Sequence, residues 1–170
     1  SCNAVATTSG DESAFSVSTD DGYSFNDVSL IDTALSSIDD LAVSSDGSII
    51  YLTSHHTADG AAGYDTSVWL YDAGWTRVYN VKNAATDANA AYMVRVAPDD
   101  ASAVYIASKG TKSMWVSKNK GETSWKSIPA YKLASSGVQD YVVQSADVVY
   151  AIDTAGLSKT SNAGASWGSK

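Results

Sequence analysis

Basic charge is scarce in this sequence. Eleven lysines and arginines stand against 19 aspartates and glutamates, for a net charge of −8. General nucleic-acid binding needs a basic surface, so that class of function is excluded. There is one cysteine, Cys2, which rules out an internal disulfide. Cys2 reads as a half-buried strand residue, and Ser1 ahead of it speaks against a lipid anchor. No apolar run approaches the roughly 18 residues of a membrane-spanning helix. No leader segment is visible, so any signal peptide is expected to have been removed or to lie outside this chain. There is no Asn-x-Ser/Thr acceptor, no glycine-rich phosphate cradle and no nucleophile motif. Only two prolines and two phenylalanines occur.

What is present suits short strands and polar turns. Ten tyrosines and five tryptophans accompany an abundance of Ala, Ser, Thr, Asp, Val and Gly. With 44% apolar residues in 170, the chain can bury the core of one domain and is not disordered by composition. Charge is unevenly placed. Residues 1–100 hold fifteen acids against Arg77, Lys82 and Arg95, whereas residues 101–170 hold four acids against eight lysines. A solvated surface accounts for this, and an electrostatic contact with an acidic neighbour, such as a second copy of the chain, is the sharper alternative.

One short pattern recurs four times. Ser18-Thr19-Asp20-Asp21-Gly22 leads to Phe25; Asp72-Ala73-Gly74 leads to Trp75; Ser117-Lys118-Asn119-Lys120-Gly121 leads to Trp125; Thr160-Ser161-Asn162-Ala163-Gly164 leads to Trp167. The glycines lie 52, 47 and 43 residues apart. A period in that range signals a propeller or another repeat array. The chemistry specifies a rigid hairpin turn. Asp or Asn bonds neighbouring backbone N–H groups, Gly accepts a positive φ, and the aromatic plugs the gap to the next strand.

The pattern resembles the Asp-box (BNR) repeat, Ser-x-Asp-x-Gly-x-x-Trp, of sialidases, xyloglucanase-type hydrolases, sortilin-type receptors and photosystem assembly factors. Ser18, Asp20, Gly22 and Phe25 fit with Phe for Trp. Thr160, Asn162, Gly164 and Trp167 fit with Thr and Asn. Ser117, Asn119, Gly121 and Trp125 carry one insertion. In the second copy Leu70 stands where Ser or Thr is expected, and the gap to Trp75 is short. The resemblance implies a structural role for these residues, on the turn between third and fourth strands and away from the ligand-binding face. A calcium site at Asp20 and Asp21 is the alternative, but calcium takes about six or more oxygens and the box supplies few.

Taken in order, the repeats predict an all-β fold, a β-propeller segment of about four four-stranded antiparallel blades over residues 1–34, 35–83, 91–130 and 138–170, the first and last incomplete. The third shows the pattern best: Met93–Ala97, Ala103–Ala107, Ser113–Ser117 and Trp125–Ile128. Tyr51, Tyr105 and Tyr150 recur at one position of the second strand. The first blade lacks its first strand and the last lacks most of its fourth. Both termini thus read as cutting through blades, as in a piece of a longer chain or a ring closed by a neighbouring molecule.

Candidate binding residues fall in loops. Thr53 to Thr66 reads as the longest loop between second and third strands, holding His55, His56, Asp59, Tyr64 and Asp65. Adjacent histidines point apart in extended chain and make a poor chelate, so neither a metal nor a cofactor is expected. Lys82–Ala91 and Pro129–Gln139 read as connections between blades, with Tyr92, Tyr131 and Lys132 placed to touch a sugar or a peptide. Sialidase chemistry is disfavoured, since that family grips its substrate with three arginines and only Arg77 and Arg95 occur here. Asp39 and Asp40, ahead of a strand, are the least implausible carboxylate pair for hydrolysis; no catalytic residue is assigned. The expected function is a non-catalytic extracytoplasmic propeller module for protein contact or cell-surface assembly, through a protein partner or self-association. The alternative is part of a glycoside hydrolase or carbohydrate-binding propeller with a glycan ligand.

Overall fold

The computed structural model describes residues 4–7, 13–18, 21, 23, 26–31, 35–57, 63–84, 91–129 and 137–169. These form strands grouped into four antiparallel meanders, with neighbours in sequence paired in space. The first sheet contains β1 (Ala4–Thr7), β2 (Ser13–Ser18) and β3 (Asn26–Ile31). The second contains β4 (Ser37–Val43), β5 (Ile50–Thr57), β6 (Gly63–Tyr71) and β7 (Trp75–Ala84). The third contains β8 (Tyr92–Ala97), β9 (Asp100–Ser108), β10 (Ser113–Ser117) and β11 (Lys126–Pro129). The fourth contains β12 (Asp140–Val143), β13 (Val149–Ile152), β14 (Leu157–Thr160) and β15 (Gly168–Ser169).

Burial follows from where each sheet sits. The third lies between the second and fourth, so both faces of β9 are covered and Ala103 to Ser108 are all buried. In β12, Tyr141 and Val143 are buried while Asp140 and Val142 are exposed, as expected of a strand with one covered face. One core cluster joins Tyr51, Val68 and Leu70 to Tyr92, Val94, Val104 and Ile106, between the second and third sheets. A second joins Tyr105, Met114, Val116 and Ile128 to Tyr141, Val149 and Trp167, between the third and fourth. Each such side chain contributes about 1.5–3 kcal/mol by leaving water.

Tyrosines tie these layers together at the position they share. The Tyr51 hydroxyl donates to the Ala101 carbonyl of the next sheet at 3.2 Å, and Tyr105 donates to Ala146 at 2.7 Å. Burial, with Asp147 and Asp99 nearby, pushes the Tyr105 hydroxyl up to about 12.

Two expectations are corrected. The stretch 53–66 is not a loop over most of its length. Pairing continues from Thr53↔Val68 to Thr57↔Tyr64, and 58–62 lie outside the described residues. Thr53, His55, Thr57, Thr66 and Tyr64 are β-branched or aromatic or alternate with such residues, which favours extension. Likewise 82–84 belong to β7 rather than to a connection.

Candidate functional site

The four boxes occupy one kind of place. Copies two, three and four connect the last two strands of their sheets, and copy one connects β2 to β3. In the third copy the buried Ser117 hydroxyl is the hub. It donates to Asn119 Oδ1 at 2.5 Å and accepts the Gly121 N–H at 2.9 Å. Glu122 N donates to the Asn119 carbonyl at 3.1 Å. The fourth copy repeats this: Thr160 Oγ1 donates to Asn162 Oδ1 at 2.9 Å and accepts from Gly164 N at 2.9 Å, while Ala165 N reaches Asn162 O at 3.1 Å. Gly121 and Gly164 both have φ of 82°. Each box then presses on the sheet before it. A Cβ on Gly164 would stand 2.3 Å from Ile128 Cγ2, and Trp125 Nε1 donates to the Val78 carbonyl at 2.9 Å.

The residue between Asx and Gly also takes a positive φ, which the sequence reading missed. Asp21, Ala73, Lys120 and Ala163 have φ of 59°, 59°, 60° and 52°, and they are the only non-glycine residues so placed among those described. In the third and fourth copies this residue and its glycine are left-handed in succession, as a primed turn that matches strand twist requires. A long-range bond holds the residue in both. Lys120 N donates to the Ser102 carbonyl and Ala163 N to the Asp147 carbonyl, each at 2.9 Å, so the box is pinned to the first hairpin of its own sheet.

The second copy departs from the box and is corrected here. Its hairpin closes at Tyr71↔Trp75, leaving a loop of Asp72, Ala73 and Gly74 alone. Leu70 provides no hydroxyl, Asp72 N donates to Gly74 O at 3.1 Å, and Gly74 is not left-handed. Trp75 instead packs at 5.3 Å from the Tyr71 ring. In the first copy Ser18 is buried and Asp21 follows the pattern, whereas Asp20, Gly22 and Phe25 lie outside the described residues.

The candidate ligand residues lie at the opposite end of the second sheet, where β5 turns to β6. His55 and His56 project to opposite faces of β5. His55 Nδ1 lies 2.7 and 2.9 Å from the carboxylate oxygens of Asp39, whose side chain is 4% exposed. Burial raises the Asp39 carboxyl above its ordinary value, and His55 offsets part of that. His56 lies 3.5 Å from Ser36 Oγ and lines a cavity of about 260 Å³ with Asp65, Trp69, Arg77 and Asn80. Tyr64 is placed in β6 opposite Thr57. Asp59, Tyr131 and Lys132 lie outside the described residues. Tyr92, expected to meet a ligand, is instead buried and stacks on Trp115 at 5.7 Å. Among the described residues no group of three or more His, Cys, Asp or Glu could hold a metal ion.

Asp39 and Asp40 are strand residues of β4, not a pair facing a cleft. Asp40 binds Arg95, and its Oδ2 accepts the Val94 N–H at 2.9 Å. Arg95 continues to Asp140 at 3.4 Å and lies 5.5 Å over the Tyr141 ring. Burial disfavours the Arg95 charge, but Asp40 and Asp140 hold its basicity above the ordinary value. The first strands of three sheets are thus linked by one cation. Lysines of the third sheet act similarly: Lys118 binds Asp147 of the fourth, and Lys120 meets Asp72 of the second at 2.5 Å. Part of the charge asymmetry is therefore spent between sheets.

The sequence matches no known protein family and no curated protein. Solved structures do match. A GH74 xyloglucanase from Xanthomonas campestris superposes with TM-score 0.64 at 17% identity, over 99% of this chain and 29% of that one. YCF48 bound to D1 peptide superposes with TM-score 0.57 at 15% identity, over 98% of this chain and 49% of that one. The chain therefore spans less than half the length of either. At such identities the likeness is one of architecture: this is an all-β chain of β-propeller-like fold, its antiparallel sheets stacked face to face as in part of a propeller.

Proposed function

We propose that the chain is a non-catalytic Asp-box propeller module, working outside the cytoplasm, that makes protein contacts or assembles at a cell surface. Its repeat units are residues 1–34, 35–83, 91–130 and 138–170. The observation that carries this reading is the fate of the candidate carboxylates. Asp39 is held by His55, and Asp40 is held by Arg95 and the Val94 N–H, so both serve the stack. The peptide seen on YCF48 supports a protein ligand for this architecture. The test is a screen of the purified chain against extended peptides, a glycan array and β-glucan substrates. Micromolar peptide capture without turnover supports the proposal, and β-glucan hydrolysis overturns it.

One observation favours a second reading, a sugar site. The cavity at Trp69 combines an aromatic ring with Asp65, Arg77, Asn80 and His56, the mixture of apolar face and planar polar groups that sugars meet. Trp69→Ala tests it: this reading requires loss of any glycan signal on the array while the fold is retained.

A further inference from the structure

Lys126 shares a sheet face with buried residues, yet it is exposed. Register places it opposite Val116, as Ile128 lies opposite Met114, and Val116, Met114 and Ile128 are all buried against the fourth sheet. Ile128 meets Gly164 of the fourth box. Lys126, two residues nearer the third box, instead lines a groove of about 540 Å³ between the third and fourth boxes. The second sheet has no such lysine. Leu70 pairs with Tyr51 as Val116 pairs with Tyr105, and the residue opposite Leu70 is Thr76. Charge in the groove does not cancel. Its lining holds two lysines and one aspartate, and Lys118 and Asp147 bind each other. Lys126 has no ion-pair partner among the described residues, in a chain whose net charge is −8. The hydroxyls of Ser124 and Ser161 also line the groove, with no hydrogen-bond partner among the described residues. Ser117 and Asn162 are by contrast occupied by bonds within their own boxes. No aromatic ring is among the lining residues, unlike the cavity at Trp69, so the groove lacks a flat apolar platform for a sugar.

We propose that this groove receives an acidic side chain, glutamate or aspartate, from an extended segment of a protein partner. This deepens the contact-module reading and rests on it. The Lys126 ammonium supplies the charge, and Ser124 and Ser161 supply hydroxyl donors for the carboxylate. Lys118 neutralises Asp147, so the one aspartate of the lining does not repel the ligand. The strand that carries Lys126 favours a peptide over a free anion. β11 is an end strand of the third sheet, so among the described residues its outer N–H and C=O groups have no partner strand and can pair with an extended chain. Backbone pairing then supplies affinity, and the lysine selects acidic sequences.

The test is fluorescence anisotropy of the intact chain with a labelled oligoglutamate peptide, with oligoglutamine of equal length as the uncharged control. The expected result is tighter binding of oligoglutamate, by a margin that shrinks at high salt. Lys126→Gln weakens oligoglutamate binding about three- to fivefold. Lys126→Arg retains it, and Lys109→Gln, at an exposed lysine outside the groove, leaves it unchanged. Amide resonance shifts on titration fall at Ser124, Lys126, Ser161 and Ala163, a readout independent of the variants. Equal losses from Lys126→Gln and Lys109→Gln overturn the proposal, since they mean diffuse attraction to lysines, and so do shifts confined to other residues. A heparin oligosaccharide that binds through Lys126 where oligoglutamate does not also overturns it and gives the groove to an acidic sugar. Capture of neutral extended peptides without preference for oligoglutamate removes the acidic ligand and leaves the contact-module reading standing; oligoglutamate held at Lys126 by a chain that hydrolyses β-glucan does the reverse.

Discussion

Gly164 and Ala163 hold adjacent left-handed positions, yet they respond oppositely to substitution. Gly164→Ala adds a methyl 2.3 Å from Ile128 Cγ2 at a φ of 82°, and costs about 2–3 kcal/mol through clash and backbone strain. Ala163→Gly relieves a φ of 52° that alanine resists and gains about 0.5 kcal/mol after the flexibility it adds to the unfolded chain. Urea midpoints of the two variants check both signs. Acid stability is set at a different turn. Ser44 and Ser48 donate to Asp46 and hold its carboxyl down to about 2. A lowered folded value means this contribution is complete above the unfolded value near 3.8 and is lost as pH falls from there through 2. Asp46→Asn should therefore flatten the melting-temperature profile between pH 4 and 2 while lowering the plateau above it. The Asx and glycine positions of the boxes were legible because each residue type has its own local bond to make. The residue between them was not. Asp21, Ala73, Lys120 and Ala163 share no side-chain property, and a carbonyl from a distant hairpin sets the φ of the last two.

At the scale of elements, strand existence was legible and strand length was not. Thr53 to Thr66 holds two histidines, two aspartates and two glycines, and so reads as a loop. Pairing with a neighbour nevertheless carries β5 to Thr57 and starts β6 at Gly63. Ion pairs between elements were equally hidden, since Asp40, Arg95 and Asp140 are separated by whole repeats. Arg95 should be the most sensitive of them. Arg95→Met keeps the stem over Tyr141 but leaves Asp40 without its cation, and costs about 1–2 kcal/mol, reduced from a fully buried value because the pair is partly exposed. Arg95→Met combined with Asp40→Asn should recover part of this loss in a double-mutant cycle read by urea denaturation.

For the whole molecule, the period of the glycines was enough to predict stacked four-stranded sheets, because a turn made from local bonds repeats wherever its residues do. It could not indicate which carboxylates the stack consumes, nor that the last sheet leaves Val142 and Ile152 uncovered. The central claim is that equivalent left-handed turns recur at the last hairpin of successive sheets and, in the third and fourth, lock the sheet onto its predecessor. Nuclear magnetic resonance of the chain in solution measures this most directly. The account predicts positive φ from backbone couplings at Asp21, Ala73, Lys120 and Ala163, together with cross-relaxation between the Trp125 indole and Val78 and between Gly164 and Ile128. Negative φ at these residues, or absence of both contacts, would contradict it.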